Sequence, residues 1–81
     1  MQQITHVYLI KDLARNTGFS IDTIKYYYKL GLLKEEGRSP GTNFRYFGDA
    51  SVKILQRIRL LRTQGNSLKE IGALLAKEEN A

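Results

Sequence analysis

Apolar residues recur along most of the chain at the three- and four-residue spacing of a helix. Ile10, Leu13 and Ala14 form one such face, and Gly18 follows where a helix end favours a residue tolerant of the left-handed region. Val7 to Leu9 reads as a short extended lead-in. Ser20 then opens a second helix, because its hydroxyl can accept from an N–H that the first turn leaves unpaired, and Gly31 marks the far end. Two helices joined by a glycine-centred turn, over about residues 10–31, have the dimensions of a helix-turn-helix.

The stretch "KEEGRSPGTNFRYF" breaks this pattern. Gly37, Pro40 and Gly41 oppose helix, Pro40-Gly41 suits the centre of a type II turn, and Phe44, Tyr46 and Phe47 favour strand. A hairpin is expected over about residues 34–47, with strands near 34–38 and 43–47 and its tip at 39–42. A lone hairpin is marginal in water, so it must lean on the helices. Asp49 is placed to cap a third helix with Val52, Leu55, Ile58 and Leu61 as its inner stripe, widened by Ile54. Lys53, Arg57, Arg59 and Arg62 occupy its other faces, and Gly65 ends it. Ser67 and Glu70 have the spacing of a capping box ahead of Leu68, Ile71, Leu74 and Leu75. The second helix pair thus covers about residues 49–77, with the tail "EENA" frayed. The expected class is mainly α, four helices and a two-stranded hairpin in one domain over residues 1–81.

Composition narrows the function. A chain of 81 residues buries about 60% of its unfolded surface and leaves no room for a large internal ligand cavity. The absence of cysteine removes disulfides, thiolate catalysis and cysteine-based zinc sites. No signal peptide precedes the first helix and no apolar run is long enough to span a membrane, so a cytoplasmic location is expected. His6 is the single histidine, expected in a flexible start, with no partner nearby in sequence. The adjacent pairs Glu35-Glu36 and Glu78-Glu79 point apart on strand or helix, and no phosphate loop, dinucleotide fingerprint or metal spacing is present. Nothing calls for a catalytic residue, a metal or a cofactor, and the chain does not read as an enzyme. The net charge of +5 and pI of about 9.7 suit a polyanionic partner.

The second helix supplies the surface. With Ile24 and Leu30 turned to the core, Lys25, Tyr26 and Lys29 share the opposite side and Asp22 lies one turn earlier. Lysines at that spacing reach phosphates, and phenols bond phosphate or press on sugar and base edges. Tyr27 falls between the two faces, and Tyr28 projects toward the hairpin as packing. The hairpin adds Arg38, Asn43 and Arg45 beside the groove; the alternative for Arg45 is an ion pair with Glu35 or Glu36.

The runs "IKDLARNTGFSIDTIKYYYKLGLLK", "NFRYF" and "VKILQRIRLLRTQGNSLKEIGALL" resemble the DNA-binding domain of MerR-family transcription regulators, over nearly the whole chain. The resemblance implies a winged helix-turn-helix. Its second helix enters the major groove of double-stranded DNA, the hairpin is a first wing and the second helix pair another. It places groove contacts on Lys25, Tyr26 and Tyr27 and backbone contacts on Arg38, Arg45 and Arg62. The reading of the residues themselves adds Ser20, Asp22, Lys29 and Asn43 to the candidate DNA-binding positions. There are departures. Lys25 stands where the family usually has Arg, Tyr28 where it has an acidic residue, and Asn43-Phe44-Arg45 where it has Gly-Tyr-Arg on a shorter tip. Family members continue into a long helix that pairs two subunits and then into an effector-sensing region; they engage RNA polymerase at the promoter. This chain stops at Ala81, ahead of such a helix, and reads either as an excised domain, dimeric only with the missing helix, or as a small stand-alone protein.

Two other functions compete. An excisionase-like architectural protein resembles the same winged fold and would recognise a direct rather than an inverted repeat. A protein-interaction module would use Tyr8, Tyr26, Tyr28, Tyr46 and Phe47 as an aromatic patch.

Overall fold

The computed structural model describes residues 7–79, with the side chain of Glu79 outside the description. The expectations for His6 and for the last two residues of the tail therefore lie outside the described residues. Four helices and a two-stranded antiparallel sheet follow one another: α1 (Ile10–Thr17), α2 (Ile21–Lys29), β1 (Gly37–Arg38), β2 (Arg45–Tyr46), α3 (Asp49–Thr63) and α4 (Leu68–Glu79). The class is mainly α, as the periodicity implies.

The first two helices begin and end for local reasons. The Asp12 carboxylate accepts from the Leu9 N–H at 2.9 Å and so ties down the start of α1. At its end Gly18 adopts φ 81°, and its N–H reaches the Ala14 carbonyl at 2.9 Å. Ser20 caps α2 as expected, its Oγ accepting from the Thr23 N–H at 3.1 Å while its hydroxyl donates to Thr23 Oγ1 at 2.8 Å. The C-terminus of α2 corrects one expectation. The helix stops at Lys29, Leu30 serves as its C-cap and Gly31 turns left-handed at φ 86°. That turn swings Leu33 into the core, 2% exposed, and leaves Leu30 at the surface, 47% exposed.

The core is formed by Leu13 of α1, Ile24 and Tyr27 of α2, Leu33, Phe47, and the Leu55–Ile58–Leu61 stripe of α3, closed by Ile71 of α4. Val52 and Ile54 flank that stripe half-buried. Asp49 does not cap α3. Gly48 occupies the N-cap, and Asp49 is the first helical residue, its carboxylate accepting from the Tyr8 hydroxyl at 2.8 Å. That bond raises the Tyr8 pKa above its ordinary value, because the phenol proton is held by an anion. The Ser67–Glu70 capping box forms as read, with Glu70 N–H to Ser67 Oγ at 3.1 Å and Ser67 N–H to Glu70 Oε1 at 2.7 Å. Helix α4 runs past Lys77 to Glu79, since Arg57 of α3 holds Glu78 through an Nη2–Oε2 pair at 2.7 Å.

The hairpin is shorter than its propensities suggest. Only Gly37↔Tyr46 and Arg38↔Arg45 pair across it. Its turn closes through the Asn43 N–H on the Ser39 carbonyl at 2.8 Å, one residue later than a four-residue type II turn would close. The extra residue is accommodated because both Gly41 (φ 84°) and Asn43 (φ 59°) take left-handed backbone, which Asn tolerates better than most residues. The ladder extends at its base. Tyr8 and Phe47 exchange both backbone hydrogen bonds, at 2.8 and 2.7 Å, so the lead-in acts as a third strand position.

Candidate nucleic-acid interface

Helix α2 has nine residues, and its two sides differ sharply. Ile24 and Tyr27, three apart, are buried, and Tyr28 is half-buried beside them. Asp22, Lys25, Tyr26 and Lys29 are exposed on the other side. Tyr26 is 52% exposed, and neither lysine has a partner among the described residues. Two cations and a phenol therefore stand on a helix whose other face is fixed in the core.

The three consecutive tyrosines have three different situations. Tyr26 faces solvent with its ring 6.2 Å from that of Tyr27. The Tyr27 ring lies in the core rather than between faces, edge-on to Phe19 at 5.7 Å and 6% exposed overall. No buried side-chain oxygen among the described residues lacks a partner, and the Tyr27 hydroxyl has none among them, so that oxygen reaches the surface. Tyr28 meets Phe47 edge-on at 5.9 Å, carries the Arg45 guanidinium over its face at 4.9 Å, and donates its hydroxyl to Glu35 Oε1.

Glu35 is the residue that sequence reasoning undervalued. Besides Tyr28 it takes Arg38 through Nε on Oε2 at 2.9 Å and Nη2 on Oε1 at 3.4 Å, and it lies 3.4 Å from Arg45 Nε. The pairing of Arg45 with an acidic neighbour is thus present, and Arg38 and Tyr28 share the same acid. The available signal was the three-residue spacing of Glu35 and Arg38. The Arg38 hydrogen bond, then that of Tyr28, holds the Glu35 carboxyl below its ordinary value. Both arginine side chains remain 41% exposed, so they still face solvent.

The other expected positions fall as follows. Asn43 is exposed at the wing tip next to Phe44, itself 59% exposed and not anticipated as a surface residue. Arg62 is exposed on α3 and has no partner among the described residues. Ser20 is at the surface with its hydroxyl already engaged by the α2 cap. Arg59, read only as a surface cation, donates from Nη2 to the Thr17 carbonyl at 2.5 Å and covers Phe19 at 4.4 Å, so it braces the turn between α1 and α2. The aromatic patch required by the protein-interaction reading does not exist. Phe47 is fully buried, Tyr8, Tyr28 and Tyr46 are half-buried, and Tyr26 alone of the five is exposed. A cleft of about 610 Å³ between the 31–36 loop and α4 has Leu32, Ile54 and Leu75 in its lining and Glu36 and Glu78 among its charges. Among the described residues no group of His, Cys, Asp or Glu is arranged to hold a metal ion, and no helix is long and apolar enough to cross a membrane.

A helix-turn-helix with a hairpin wing, four helices in all, and a cationic outer face on the second helix define a nucleic-acid-binding class of fold. Residues 8–78 match the family described as MerR HTH family regulatory protein, and the chain belongs to that family. It is 37% identical over 71 residues to a probable heavy metal-dependent transcriptional regulator of Haemophilus influenzae, covering 88% of this chain and 55% of that protein. Against the HTH-type transcriptional regulator ZntR of Escherichia coli K12 the identity is 36% over 70 residues, covering 86% and 49%. Among solved structures it is similar to HiNmlR, a MerR family regulator lacking the sensor domain and bound to promoter DNA. The TM-score is 0.81 and the identity 29%, covering 94% of this chain and 57% of that one. The chain thus spans about half the length of the curated relatives it matches.

Proposed function

We propose that this chain binds double-stranded DNA as the promoter-binding module of a MerR-type transcription regulator, with α2 in the major groove and the hairpin on the flanking backbone. The observation that carries this reading is the face of Lys25, Tyr26 and Lys29, exposed and without partners among the described residues on a helix locked into the core by Ile24 and Tyr27. Its likeness to a regulator solved on promoter DNA supports the same placement. Asn43, Arg45 and Arg62, with Ser20 and Asp22 at the start of α2, are the further contact positions; Arg38 lies on the same wing with its guanidinium on Glu35, and the Tyr27 hydroxyl is the part of that ring open to DNA. The chain acts as a binding module rather than an enzyme, in the cytoplasm. Pairing of two such modules and engagement of RNA polymerase belong to the same reading.

Selection from a randomised duplex library tests it. Enrichment of an inverted repeat is expected. A direct repeat would favour the excisionase-like reading, and absence of any DNA binding would reject both.

A further inference from the structure

Two guanidinium groups and a phenol converge on one carboxylate at the base of the wing. Glu35 sits on the loop between α2 and β1, Tyr28 comes from α2, Arg38 from β1 and Arg45 from β2. Arg38 and Arg45 face each other in the ladder. Like charges placed directly opposite each other repel, and an acid between them relieves this. The two arginines are not held equally. Arg38 engages both carboxylate oxygens, at 2.9 and 3.4 Å, whereas Arg45 approaches one of them at 3.4 Å and rests over the Tyr28 ring.

A carboxylate and a phosphate present oxygens to a guanidinium in the same forked geometry. At half-exposed positions the exchange of one for the other is cheap, because solvent-exposed ion pairs contribute little. The looser pair exchanges first. We propose that Glu35 is a positioning residue that limits the wing to one phosphate. It keeps Arg38 on its own carboxylate, releases Arg45 to the DNA backbone, and holds both at a fixed offset from α2 through Tyr28. This inference rests on the DNA-binding reading above. The chain is basic, with a net charge of +5, and each additional phosphate contact strengthens binding to every sequence alike. An acid that withholds one arginine therefore lowers sequence-independent affinity without touching the α2 face.

The salt dependence of binding counts phosphates. Binding of the full chain to a labelled mixed-sequence duplex would be followed by anisotropy across a series of salt concentrations, with thermal melts confirming that each variant is folded. Glu35→Gln is expected to steepen the log–log slope by about one, because Arg38 becomes free to take a phosphate. Arg45→Ala is expected to flatten it by about one, which marks Arg45 as the residue that contacts phosphate in the wild type. In the double variant Glu35→Gln, Arg38→Ala the slope should return to the wild-type value. A slope that stays steep in that double variant would show a general charge effect and overturn the proposal. So would an unchanged slope in Glu35→Gln when the wild type binds normally. Failure of the wild type to bind the duplex at all would instead overturn the DNA-binding reading, and the inference with it. If Glu35→Gln does not fold, Arg38→Ala alone decides: its slope is expected to equal that of the wild type, because Arg38 takes no phosphate there, and a slope flattened by about one would overturn the proposal.

Discussion

Arg38 and Arg45 stand directly opposite each other across the two-stranded ladder, and a single carboxylate, that of Glu35, lies between their side chains. This arrangement ties the hairpin to α2, since the third partner of that carboxylate is Tyr28 on that helix. Tyr28→Phe tests the tie. The ring contacts with Phe47 and Arg45 survive and only the hydroxyl is lost, so unfolding stability should fall by about 0.5–1.5 kcal/mol in a urea titration. Stability equal to wild type would mean that the hydroxyl contributes nothing to holding the wing.

Lys25→Ala should weaken DNA binding. A base-edge contact would reduce it by about 1–3 kcal/mol and relax preference at one position of the selected site, whereas a phosphate contact would weaken all sequences equally and flatten the salt slope by about one. Affinity indistinguishable from wild type would remove Lys25 from the interface.

Acid should destabilise the fold. Glu35, Glu70 and Glu78 all have carboxyl groups held below their ordinary value of 4.5, by Arg38, the Ser67 N–H and Arg57 respectively. In each case the folded state binds fewer protons than the unfolded chain as pH falls below that value. The stabilisation is therefore fully present above it and is lost as pH drops through the lowered pKa. Thermal melts across this range should show a decline on the acid side that is shallower in Glu35→Gln. An identical acid limb in the variant would argue that Glu35 is not held in this way.

Ile24→Ala removes a fully buried side chain from the inner face of α2. A loss of about 2–5 kcal/mol is expected from the transfer and cavity terms together, measured by chemical denaturation. Leu30→Ala, six residues later at a position 47% exposed, should change stability far less. Comparable losses from the two substitutions would contradict the helix end at Lys29.

Most of the fold was readable because each helix carries its own punctuation. Ser20, Gly18, Gly65 and the Ser67–Glu70 pair act through neighbours within a few residues, so their geometry follows from spacing alone. The outward face of α2 was legible for the same reason. Leu30 was misread because helical spacing places it inward only if the helix continues, and the left-handed turn at Gly31 rotates the chain first. Asp49 was misplaced by one residue because the acceptor it offers is used by Tyr8, 41 positions away, rather than by its own helix. The Glu35 cluster was only half visible. Its local pair with Arg38 follows from spacing, but the Tyr28 and Arg45 contacts exist only once the hairpin is docked on α2.

The base of the wing is pinned twice, by the Tyr8–Phe47 backbone exchange and by the acid shared among Tyr28, Arg38 and Arg45, while the turn beyond Ser39 is closed by its own short hydrogen bond. Anchor and tip are mechanically separate. Insertions or deletions between Ser39 and Asn43 can therefore lengthen or shorten the reach of the hairpin without shifting the arginines below it. The extra residue already present in this turn is one such step, and it makes the tip the cheapest part of the molecule for evolution or an engineer to vary.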